Sequence, residues 1–176
     1  MYLGSLIFVV IIFIIIFVIS ILLVIASDNL IVLPSGSPYT KLDSDISYLT
    51  FAVIVTIFLI GIVLSLGVLI YYKSTFTSPS SDTGIQPDAP ISSSRTDLFV
   101  YLFAALCLLG SLILFAILWN VNSDIGSFLN LYSFTITNQE TSEVTTAKNY
   151  IFDSLILDAA FFIFTLFIIA LYSSGI

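Results

Sequence analysis

Long apolar runs alternate with short polar connections four times along this chain. The runs cover 3–26, 48–72, 98–119 and 151–172, and the connections cover 27–47, 73–97 and 120–150. The first run has about 24 residues, which as a helix spans roughly 36 Å against a hydrocarbon core of about 30 Å. Each of the others is of similar length, so the pattern predicts four transmembrane helices. Small residues near Ala26 would suit signal-peptide cleavage, but no basic residue precedes the run, and it exceeds an h-region of about 7–15 residues. The run is therefore read as a span. Its many β-branched residues are poor helix formers in water, but in lipid each amide must be satisfied within its own segment.

The connections carry their own signals. Pro34-Ser35-Gly36-Ser37-Pro38 is a turn cluster, and Asp43, Ser44 and Asp45 precede the second run where caps and acids suit a helix start. The middle connection is rich in Ser, Thr, Pro and Gly and reads as an exposed loop. The third pairs two β-prone stretches, 132–137 and 142–146, around Asn138-Gln139-Glu140-Thr141, which predicts a short β-hairpin. Phe128, Leu129, Leu131 and Phe134 suggest that this region docks on the membrane surface or on another protein. The fold class expected is thus an all-α integral membrane protein, one four-span domain with that hairpin as its only strand structure.

Composition agrees. Hydrophobic residues make up 59% of the 176 and charged residues 9%, against roughly 25% charged in soluble domains. Eleven acids against four bases give a net charge of −7. That balance speaks against nucleic acid, whose phosphates need clustered Lys and Arg. Histidine is absent and Cys107 is the single cysteine. A Ser-His-Asp triad and a Cys/His zinc site therefore cannot be built. With no phosphate-binding glycine motif either, the expectation is a protein that is not an enzyme and has no cofactor, metal or small-molecule substrate.

One acid interrupts the pattern. Asp158 lies about eight residues inside the last run, roughly 12 Å along the helix. Such a carboxyl costs at least about 2.5–3.5 kcal/mol unless it is paired or hydrated. Ser154 and Thr165, four before and seven after it, complete a polar stripe. Two readings follow: a proton or cation path, or a hydrogen-bonded lock between helices. No Lys or Arg lies deep in any run to complete a path, and the lock is preferred. Small residues mark the candidate packing faces, Gly61 with Ser65 in the second run and Ala104, Cys107 and Ser111 in the third, which are expected to face each other. Cys107 reads as a packing residue.

With four spans, both termini and the 73–97 connection fall on one side. Lys73 and Arg95 hug the helix ends there, so that side is read as cytoplasmic or its equivalent. The functional expectation is a structural, accessory subunit of a larger assembly, with the bilayer and other membrane proteins as partners. Its setting would be an organelle inner membrane, as in a respiratory-type complex, or the membrane layer of a large virus. The alternative is a small channel or transporter subunit that uses Asp158.

Overall fold

The structure is a computed structural model that describes residues 2–76 and 91–176, with only the backbone of 91–94. Its elements are α1 (Leu3–Ile31), α2 (Thr40–Phe76), α3 (Ile91–Tyr132) and α4 (Asn138–Ser173). All four are long and apolar enough to cross a membrane. They form an up-down-up-down bundle closed as a ring: α1 packs on α2 and α4, and α3 packs on α2 and α4. The polar residues of the middle connection between 77 and 90 lie outside the described residues.

The buried positions explain how four uniformly apolar helices choose their inward faces. On α1 they include 9, 12, 16, 19, 23, 26 and 30; on α2, 45, 49, 52, 56, 59, 63, 66 and 70. On α3 they run 100, 104, 107, 111, 114, 118, 121 and 125, and on α4, 144, 147, 151, 154, 158, 161, 165, 168 and 172. Steps of three and four alternate, a mean of 3.5, which is the seam of a left-handed coiled coil. Nearly antiparallel, slightly supercoiled packing follows from it. The lipid-facing side is as apolar as the seam, with Ile14, Phe58, Leu112 and Ile163 each more than half exposed. Hydrophobic periodicity therefore could not reveal the seam, because lipid and core reward the same side chains.

Two levels of aromatic side chains bracket the bundle. Tyr2, Tyr72, Tyr101 and Tyr172 lie near one end, and Tyr48, Trp119 and Tyr150 lie towards the other. From Tyr48 to Tyr72 is roughly 36 Å, from Tyr101 to Trp119 roughly 27 Å, and from Tyr150 to Tyr172 roughly 33 Å at helical rise. This matches interfacial aromatic belts on a hydrocarbon core of about 30 Å. Beyond the second belt α2, α3 and α4 continue for roughly another two to four turns, forming a helical head.

That head corrects the expected hairpin. Most of 120–150 is helical, and the turn between α3 and α4 is confined to 133–137. Thr137 starts α4 through a capping box. Its hydroxyl accepts from the Glu140 N–H at 3.2 Å, and the Glu140 carboxylate accepts from the Thr137 N–H at 2.8 Å. An isolated two-stranded hairpin is marginal in water. Here a Thr-x-x-Glu cap and packing against neighbouring helices outweigh β propensity. Phe128 is buried, 5.6 Å from the Tyr39 ring and 5.2 Å from Tyr132. Its apolar character thus serves the head's own core, whereas Leu131 and Phe134 are exposed, Phe134 at 97%. The 27–47 connection is also shorter than expected: α1 runs on to Ile31 and α2 begins at Thr40.

Candidate functional site

Asp158 occupies a seam position of α4 and is 1% exposed. Ser111, a seam position of α3, donates its hydroxyl to Asp158 Oδ1 at 2.8 Å. The two helices are thus joined by a side-chain hydrogen bond well inside the apolar length. Asp158 Oδ2 is buried and makes no hydrogen bond among the described residues. Ser154 and Thr165 share the buried seam with it. They do not reach it: Ser154 donates to the Tyr150 carbonyl and Thr165 to the Phe161 carbonyl, each at 2.8 Å. Between and beside them stand Ile151, Leu155, Phe161 and Ile168, all buried. The stripe expected from spacing exists, but its members are separated by apolar side chains and two of them are spent on their own helix.

A single polar group at a seam position fixes helix register, because sliding by a turn strands it against apolar neighbours. Ser111→Ala should therefore lower the thermal stability of the purified protein by about 1 kcal/mol, the scale of an interhelical hydrogen bond in a membrane. The double variant Ser111→Ala, Asp158→Leu should recover part of that loss, since two apolar groups leave nothing unpaired. Additive losses in that cycle would disprove the coupling.

The packing faces are arranged differently from the expectation. Ala104, Cys107 and Ser111 are buried in the seam. Gly61 and Ser65 instead face outwards, and a Cβ on Gly61 would meet nothing within 4 Å. Their alignment four apart is real, but the α2 seam runs through Leu59, Val63 and Leu66. The close α2–α3 approach is made by Gly110, where a Cβ would stand 2.5 Å from Leu59 Cδ2. Gly67 does the same for α1, with Val9 at 3.1 Å.

Two further polar clusters were not apparent from sequence spacing, because they unite residues distant along the chain. At the end holding the termini, Asp97 of α3 pairs with Lys73 of α2 and accepts the Tyr172 hydroxyl of α4 at 2.5 Å. The Lys73 ammonium also lies 5.0 Å from the Tyr172 ring centroid and 5.5 Å from that of Tyr2, and these two rings stack at 4.9 Å. All four helices meet there.

In the head, Lys41 pairs with Asp124 at 2.7 Å, and Asp45 is buried beside them with Oδ2 unbonded among the described residues. Asp45 precedes the apolar length of α2. Burial, reinforced by the nearby Asp124 charge and opposed by Lys41, pushes its carboxyl up to about 7. A raised carboxyl favours the folded state when protonated. Its contribution is complete below 3.8, the ordinary value, and is lost as pH rises through about 7. Melting temperatures of wild type and Asp45→Asn, taken across that window, should diverge in favour of the variant as pH rises; parallel curves would refute it.

Among the described residues no three Asp, Glu or Cys side chains gather as metal ligands would. No protein-family model matches the chain, and neither a curated protein nor a solved structure shows significant similarity to it.

Proposed function

We propose that this chain is a structural, accessory subunit of a larger membrane-associated assembly, with no catalytic role. The observation that carries the reading is the bond between Ser111 and Asp158, a carboxyl held in a buried helix contact. A conduction path needs successive hydrated polar groups, and here the neighbouring stripe members bond to their own backbone. The exposed Leu131 and Phe134 at the tip of the head offer an apolar contact of the kind a neighbouring subunit covers. An organelle inner membrane or the membrane layer of a large virus suits such a subunit, with the termini on the cytoplasmic-equivalent side. The alternative, a channel or transporter subunit, draws on Asp158 alone.

The deciding experiment is native mass spectrometry of the chain extracted from its own membrane in mild detergent. Defined complexes with other polypeptides at fixed stoichiometry are expected, and Asp158→Asn should change their yield without creating or abolishing ion flux. Recovery as a symmetric homo-oligomer whose proton or cation flux in liposomes disappears in Asp158→Asn would overturn the reading.

A further inference from the structure

Outside the Ser111–Asp158 bond, α3 and α4 part to leave a groove of about 310 Å³ on the lipid-facing surface. Leu112, Phe115, Ala159, Phe162 and Ile163 form its walls, and Ser111 and Asp158 are its polar members. Asp158 is 1% exposed and its Oδ2 has no hydrogen-bond partner among the described residues. A buried polar atom left without a partner costs about 1–3 kcal/mol, and lipid chains supply no partner.

The groove's depth restricts what can satisfy that oxygen. Asp158 lies about 12 Å inside the Tyr150 level and about 21 Å from the Tyr172 level at helical rise. Lipid head groups sit outside both belts, so a lipid would present only hydrocarbon here. A second copy is also poorly matched. Leu59 lies beside Gly110, which puts Asp158 level with residue 59 of α2. The exposed polar side chains Thr50, Ser65 and Asp153 are then displaced along the bundle axis by about 14, 9 and 8 Å at helical rise, and the nearer Ser20 of α1, about 5 Å away, is half-buried. Copies sharing one orientation cannot bring those groups to this level.

We propose that the α3–α4 groove receives a transmembrane helix of a different protein, which inserts one hydrogen-bonding side chain towards Asp158 Oδ2. The small Ala159 lets the incoming backbone approach, and Phe115, Phe162 and Ile163 flank it with apolar contact. This rests on the accessory-subunit reading and specifies where one partner binds.

The test uses the full chain in its native membrane with the photo-cross-linker benzoylphenylalanine placed at Ile163, in the groove, or at Phe134, on the head. Light should join the Ile163 position to the transmembrane segment of a second polypeptide, within one turn of a polar side chain. Replacing that polar side chain by Leu should reduce the cross-link about three- to tenfold, the factor expected for an interhelical hydrogen bond. Ala159→Trp, which fills the groove from its exposed wall, should reduce it at least as far without altering the melting temperature. Ile14→Trp, an equally bulky change elsewhere on the lipid face, should leave it unchanged. Adducts of lipid alone, self-adducts of this chain, or a protein adduct indifferent to Ala159→Trp would each overturn the proposal. Protein adducts at Phe134 with only lipid at Ile163 would remove the groove while keeping the accessory role; no protein adduct at either position would remove both.

Discussion

Asp97→Ala should destabilise the protein by about 3 kcal/mol. Removing one partner of a largely buried ion pair costs about 3–5 kcal/mol when burial is complete. The Lys73 side chain is 12% exposed and that of Asp97 35%, so the lower end of that range applies. The Tyr172 hydroxyl loses its acceptor in the same step. The stacked Tyr2 and Tyr172 rings still hold the ammonium by cation–π attraction, worth about 1–2 kcal/mol when desolvated, so the end loosens without the helices separating. Asp97→Asn keeps an acceptor for both groups but removes the same charge, so it should lose somewhat less than Asp97→Ala. Melting in detergent, with limited proteolysis near the termini, would check both. Equal losses for the two variants would show that charge rather than hydrogen bonding holds this end.

Gly110→Leu should cost about 1–3 kcal/mol, the range for overpacking a close contact, and Gly61→Leu should cost almost nothing. Both glycines lie mid-helix in a membrane span. At Gly110 the first added carbon already meets Leu59, a side chain only 2% exposed and so with little room to yield. At Gly61 the added side chain enters lipid. Comparable melting temperatures for the two variants, or the reverse order, would show that α2 and α3 are not packed as described.

The contrast between these glycines illustrates what could be read before the fold was known. Four spans follow from run length because the bilayer imposes one dimension on every helix, and the structure has four such helices. Asp158 was legible because an acid within an apolar run has no inexpensive alternative to a partner. Its partner Ser111 reads as a small packing residue and as one of four polar candidates within the runs, with Ser20, Thr56 and Ser65, since nothing in a one-dimensional pattern states which helix lies opposite. Gly61 and Ser65 satisfied the spacing rule while pointing to lipid, because small residues four apart define a face but not its direction. The head was obscured for another reason. Its residues from 120 to 150 mix β-prone and polar types, and the β-prone Tyr132–Thr137 stretch hides the helix cap at Thr137. Lys73, Asp97 and Tyr172 come from three different helices and Tyr2 from the residue before a fourth, and their convergence depends on relative helix height.

The ring arrangement also has a consequence for synthesis. Chains emerge from the N-terminal end, so α1, α2 and α3 are in place before α4 arrives. Until then the facing sides of α1 and α3 both look on to an open slot. The last helix to enter closes it, joining the segment made first to the one made just before. That helix also carries the costliest side chain to insert, Asp158, and the hydroxyl that receives it already waits on α3. Closure of the ring therefore awaits α4, and whatever delays its arrival leaves α1 to α3 as an open trough.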